Sequence, residues 1–202
     1  DVCVDILMPG LVLIPDHFVM HSSTKRRDYI TGEDQSVHGK SGRVTSVTVG
    51  QVNNRQVIIY DKRSEVIAKK KSYWWEIWNH NLLKMNKSDG LEKTTKDHFP
   101  SGKCDQNRPK TINSDETRDI YRCELRAGKD LLKDRWGIRT WEDLFTRFGD
   151  LCKESCEVVR YTDPIPSDPN RARWPNHLLW DVASAEINDD LLKSRMQTKI
   201  LP

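Results

Sequence analysis

The stretch Arg55-Gln-Val-Ile-Ile-Tyr-Asp-Lys-Arg-Ser-Glu65 sets the tightest limit on the fold. Val57, Ile58 and Ile59 are apolar and β-branched, and Tyr60 also favours a pleated surface, so the segment begins as a strand. At Asp61 it changes character. Lys62, Arg63 and Glu65 lead into the helix-forming Val66-Ile-Ala-Lys-Lys-Lys71, with Asp61 placed to cap that helix. Upstream, Arg43-Val-Thr-Ser-Val-Thr-Val-Gly50 reads as a second strand, joined to the first through Gln51-Val-Asn-Asn54 in a β-hairpin. Tyr60 is thereby left at the end of an apolar strand, with Asp61, Lys62 and Glu65 close behind it. That setting suits a phenol used as a nucleophile. It also suits a sheet-edge tyrosine with a packed ring and a wet hydroxyl, the plainer reading of the two.

Two more segments alternate with the period of a strand. In Asp1-Val-Cys-Val-Asp-Ile-Leu7, Val2, Val4 and Ile6 point one way and Asp1, Cys3 and Asp5 the other. Carboxylates spaced along one strand face can share a divalent cation, or they form the wet face of an edge strand. In Ile120-Tyr-Arg-Cys-Glu-Leu-Arg126, Arg122, Glu124 and Arg126 share a face opposite Tyr121, Cys123 and Leu125. A carboxylate between two arginines is an ion-pair ladder or part of a site for metal and phosphate. Leu11 to Met20 is apolar but interrupted by Pro15, which predicts broken or edge structure. Residues 22–41 and 87–119 read as long irregular segments.

Helical signals concentrate later. Trp74, Trp75 and Trp78 sit at helical spacing and are expected in a core. Lys129–Trp136 is a short helix stopped by Gly137. Thr140-Trp-Glu-Asp143 resembles a capping box, followed by the apolar stripe Leu144, Phe148, Leu151 and Cys152. Pro175 can open a last helix carrying Leu178, Leu179, Val182, Ala183 and Ile187. Strands first and helices later give an α+β fold, an antiparallel sheet with helices concentrated in the C-terminal half.

With 202 residues the chain can bury one sizeable core. No apolar run approaches bilayer-spanning length, so no membrane partner is expected. The net charge of +3 announces no polyanion by itself. Lys25-Arg26-Arg27, Lys69-Lys70-Lys71, and Arg160 with Arg171 and Arg173 are local basic groups that suit phosphate contacts or solvated faces equally. Five cysteines without a Cys-x-x-Cys pair argue against a zinc site or a disulfide framework, and for a reducing cytoplasm. A chain that opens at Asp1 inside a strand points to a trimmed amino terminus.

Taken together, the Asp-containing strand Asp1-Val-Cys-Val-Asp5, the turn block Val49-Gly50, Ile59-Tyr-Asp-Lys62 and Arg122-Cys-Glu124 resemble the replication-initiation-factor family. That family comprises the trans-acting initiators of rolling-circle plasmids, similar phage proteins and some conjugative-transposon relaxases. The resemblance implies that residues 1–135 form a nicking and joining domain lacking its natural amino-terminal part, with 136–202 a helical extension on the same core. It implies that Tyr60 attacks a DNA phosphodiester to give a 5′-phosphotyrosyl link and a free 3′-hydroxyl. Asp1, Asp5 and Glu124 would hold Mg²⁺ or Mn²⁺, and Lys62 and Arg122 would supply further positive charge. A phenol with an ordinary pKa near ~10 needs such help at neutral pH. The implied partner is single-stranded or hairpin origin DNA, with a helicase and a second copy of the chain as further candidates, in a bacterial cytoplasm. Two alternatives stand beside it: a non-catalytic DNA-binding module of the same fold, and a hydrolytic metal nuclease in which Tyr60 only positions a phosphate.

Overall fold

A computed structural model of the chain describes residues 1–21, 33–88 and 119–188. Their contacts group into two units, residues 1–62 with 119–202 and residues 63–118. The boundary expected after residue 135 falls inside the first unit, where the later helices share one core with the sheet.

The first unit holds the strands β1 (Val2–Leu7), β2 (Phe18–Met20), β3 (Gln35–Lys40), β4 (Arg43–Gly50) and β5 (Arg55–Asp61). The helix α1 (Lys62–Ala68) follows β5 directly, and α2 (Tyr73–Ser88) follows in turn. The chain re-enters the first unit through β6 (Ile120–Ala127), then α3 (Trp141–Val158), β7 (Val159–Tyr161) and α4 (Leu178–Asn188). Five strands form an antiparallel sheet in the order β1-β6-β5-β4-β3, and β2 pairs with β7 in a separate ribbon. The architecture is α+β, as the alternation predicts.

Because side chains alternate along a strand, the register divides the sheet into two unlike faces. Val2, Val4 and Ile6 face the same way as Tyr121, Cys123 and Leu125, Val57 and Ile59, and Val47 and Val49. These close one core with Cys152 and Cys156 of α3 and with Leu179, Trp180, Ala183 and Ile187 of α4. Burial pushes the thiols of Cys152 and Cys156 up, to about 11 and about 12, so both pack as small apolar groups. Cys104 lies outside the described residues.

Several elements differ from the sequence reading. Within the segment read as a loop over 22–41, Gln35–Lys40 pairs with β4 as β3; residues 22–32 lie outside the described ones. The signal was Ser41-Gly42: both residues have positive φ, 54° and 77°, the mark of a two-residue type I′ hairpin turn. The stripe of α4 is rotated from the expected one. Leu178 and Val182 are exposed while Trp180 is buried, its indole Nε1–H donating to the Cys156 carbonyl at 3.2 Å. Pro175 does not open that helix; the Leu179 N–H donates to His177 Nδ1 at 3.0 Å, so a histidine caps its first turn. The expected helix over Lys129–Trp136 is present, helical from residue 129, with Leu131–Arg135 wound in the wider π form. A buried arginine, Arg55, ties β5 to α3 by donating to Ser155 Oγ at 3.1 Å and to Glu154 Oε2 at 2.6 Å. Arg135 and Trp136 meet the same carboxylate.

In the second unit, Lys69 and Lys71 pair with Glu65 at 2.8 and 3.6 Å. The indoles of Trp74, Trp75 and Trp78 cluster along α2, with Trp78 buried and the other two half-buried. Of the segment expected to be irregular over 87–119, residues 89–118 lie outside the described ones.

Two substitutions should rank in stability by cause. Gly50 has φ +97°, and an added Cβ would meet the Arg55 carbonyl oxygen at 2.0 Å. Gly50→Ala should therefore cost at least about 1–3 kcal/mol in urea unfolding, from backbone strain alone. Thr140→Ala, which removes the side-chain acceptor from the capping box, should cost about 1 kcal/mol. The Asp143 carboxyl is held below its ordinary range by the Arg139 N–H, then by the Thr140 side chain and N–H. The stability it contributes is therefore present above the unfolded-state carboxylate pKa and lost as pH falls through its lowered folded value. An NMR titration should find this carboxyl low in the native chain and raised in Thr140→Ala.

Candidate functional site

The face of the sheet opposite the core carries the residues singled out for chemistry. In register, Asp5 lies across from Arg122, Arg122 from Tyr60, Tyr60 from Ser46, and Ser46 from His38. These five form one row running across all five strands. A second row, one residue pair further along, contains Cys3, Glu124, Ile58, Thr48 and Ser36. Tyr60, Arg122, Asp5 and Glu124 therefore converge on one patch of three neighbouring strands. The hydroxyls of β4 and β3 continue it on the far side of the tyrosine.

Each residue is placed by a local cause. Val57 and Ile59 are buried to the core, which forces Tyr60 to the other face. Tyr60 is half-buried, and Lys62, at the first position of α1, sets its ammonium 5.6 Å from the tyrosine ring centroid. Arg122 is 9% exposed. Its Nε–H donates to Asp5 Oδ1 at 2.5 Å and its Nη2 to Asp5 Oδ2 at 2.8 Å, a bidentate fork. Burial alone would lower the Arg122 pKa, but the hydrogen bonds and charge of Asp5 outweigh it and hold the guanidinium above its ordinary value. Four residues further along β6, Arg126 Nε–H donates to Glu124 Oε1 at 2.8 Å and lies 3.9 Å from Asp1 Oδ2.

The expected metal set does not assemble. Asp1 and Asp5 share a face but lie four residues apart, about 13 Å along the strand, too far to share an ion. Asp5 gives both oxygens to Arg122, and Glu124 is paired with Arg126. Among the described residues, no three His, Cys, Asp or Glu side chains are grouped to hold a metal ion. The donors as arranged fit arginines, not Mg²⁺ or Mn²⁺.

The basic clusters also resolve differently from expectation. Arg160 donates to the carbonyls of Trp174 and Ala172 and to Asn176 Oδ1, which clasps the loop before α4. Arg171 donates to the Asp16 and Phe18 carbonyls and stacks on Trp174. Arg173 grips Asp168 with two hydrogen bonds. These three hold loops. Lys25, Arg26 and Arg27 lie outside the described residues.

Tyr121, the other tyrosine near the patch, faces the core and is fully buried. Its hydroxyl donates to the Leu11 carbonyl at 2.7 Å and accepts from Arg43 Nη2 at 2.5 Å. Burial raises its pKa against the pull of Arg43. A phenol so enclosed is a structural tie. Tyr121→Phe should lower unfolding free energy by about 1–2 kcal/mol, read from a denaturant midpoint, because it strands a buried carbonyl and a guanidinium N–H. Compared with models of known protein families, with curated proteins and with solved structures, the chain finds no match.

Proposed function

We propose that this chain is a DNA nicking and joining enzyme of the relaxase type, an initiator of rolling-circle replication or conjugative mobilisation with Tyr60 as its nucleophile. The observation that carries the reading is the row Asp5–Arg122–Tyr60. It brings a half-buried phenol and an always-charged guanidinium to neighbouring strands on one face. The likeness of Ile59-Tyr-Asp-Lys62 and Arg122-Cys-Glu124 to the replication-initiation-factor family supports it from the sequence side.

In this reading the Tyr60 oxygen forms a bond to phosphorus as the P–O3′ bond breaks. The phenolic proton passes to solvent and the 3′ oxygen takes one up, leaving a 3′-hydroxyl and a 5′-phosphotyrosyl chain. The ester keeps the bond energy of the phosphodiester, so attack by a 3′-hydroxyl reverses the step and rejoins a strand without ATP. Lys62, 5.6 Å from the ring centroid, adds positive charge near the attacking group, and Arg122 meets charge gathering on the phosphate oxygens. Mg²⁺ or Mn²⁺ belongs to the family likeness; no step here is routed through it.

The partner in this proposal is single-stranded or hairpin DNA, with a helicase and a second copy of the chain as its family-derived companions in a bacterial cytoplasm. Among the described residues, no helix is long and apolar enough to cross a membrane. A non-catalytic DNA-binding module is the second reading, favoured by the pairing of every carboxylate in the patch with an arginine.

The test uses labelled hairpin oligonucleotides with randomised single-stranded loops, incubated with the chain in Mn²⁺, in Mg²⁺ and in chelator. A protein–DNA adduct surviving denaturation is expected from wild type and absent from Tyr60→Phe. Salt-dependent DNA binding with no adduct in any of the three conditions would give the answer to the binding module. Cleavage without an adduct would give it to a hydrolytic nuclease.

A further inference from the structure

We infer that Asp5 is a positioning residue and not a metal ligand: with both carboxylate oxygens it fixes the Arg122 guanidinium beside Tyr60. There that cation holds a DNA phosphodiester in the place that the family likeness reserves for a divalent ion. The inference rests on the proposed nicking function and names how that site meets its substrate.

Three observations carry it. The pair is bidentate, at 2.5 and 2.8 Å, and both side chains are largely buried. To bind an ion, Asp5 would have to abandon a guanidinium that is 9% exposed, leaving a buried charge without its counter-ion. The register makes the direction of action explicit: Arg122 lies between Asp5 on one neighbouring strand and Tyr60 on the other. A planar guanidinium locked by a carboxylate behind it loses little freedom when a phosphate binds; because Nε and Nη2 face Asp5, the phosphate would be met from the guanidinium's other edge. Finally, among the described residues no second carboxylate stands beside Asp5 to complete an ion's shell. The residue opposite Glu124 on β1 is Cys3, and Glu124 itself is taken by Arg126.

The first readout is independent of activity. In an NMR spectrum of the arginine side chains, the Arg122 Nε–H resonance is assigned by its loss in Arg122→Lys. In wild type it should exchange slowly with water, and it should stay sharp when millimolar Mn²⁺ is added. Broadening of that resonance by Mn²⁺, abolished in Asp5→Asn, would make Asp5 a metal ligand and overturn the inference. Next, a short single-stranded oligo-dT should shift the same resonance in wild type. The shift should vanish in Asp5→Asn and return in part in Asp5→Glu, and no wild-type shift would also overturn it.

Adduct formation supplies the second readout. It should proceed at the same rate in chelator as in Mn²⁺, and Asp5→Asn should slow it by about a hundredfold, as losing one preorganised donor to a developing charge does. The two proposals fail separately. An oligo-dT shift without any adduct keeps the role of Asp5 and removes Tyr60 as nucleophile. An adduct that requires Mn²⁺, with the Arg122 resonance broadened, keeps Tyr60 and removes this role of Asp5.

Discussion

The register between β5 and β6 is the constraint on which the rest depends. Val57 and Ile59 lie opposite Leu125 and Cys123 on the core face, so Tyr60 and Arg122 are brought opposite each other on the other. A slip of β5 by one residue would turn Val57 and Ile59 to the polar face and Tyr60 into the core. Hydrophobic burial, at roughly 25 cal/mol per Å², therefore fixes the polar constellation without any polar group having to choose its place. The bidentate pair of Asp5 and Arg122 refines a position that the valines have already set.

The same logic explains what could be read from the sequence. Alternation in β1 and β6 marked which residues share a face, and the break at Asp61 marked where strand becomes helix. Sharing a face is a property of one strand, and the period of two makes it legible. Sharing an ion is a property of two strands and their register, which no local pattern encodes. Asp1, Asp5 and Glu124 share one surface of the sheet, and each carboxylate has an arginine from β6 for a neighbour. The rotated stripe of α4 has a similar cause. Leu178, Val182 and Trp180 are all apolar, and which of them turns inward is settled by the indole's hydrogen bond to α3. β3 was hidden because its burial is slight, so no hydrophobic pattern announced it, and only the Ser41-Gly42 turn did.

Charge is also used inside this fold. Arg55 stays buried because Glu154 and Ser155 meet it from α3, even though burial lowers its pKa. Pairs of this kind gain little net stability over apolar packing, yet removing one partner is expensive. They hold α3 in one orientation against β5, and through the shared core they support the sheet from behind. Arg160 of β7 and Arg171 beyond it do the same for loops, gripping backbone carbonyls.

A consequence for assembly follows from the placement of β5 and β6. They are partners in the middle of the sheet, yet everything from Lys62 to Asp119 lies between them along the chain. The β3–β4 and β4–β5 hairpins close over short turns, whereas joining β6 to β5 must first gather a long excursion, at roughly 3–4 kcal/mol of closure entropy beyond a fixed constant. The meander of β3, β4 and β5 is therefore local in sequence, whereas setting Arg122 beside Tyr60 carries the larger closure cost. Because Asp61 and Tyr121 are themselves opposite each other, the chain leaves β5 and re-enters β6 at the same end of that strand pair. Lengthening or shortening the excursion would change the speed of folding far more than the geometry of the finished patch.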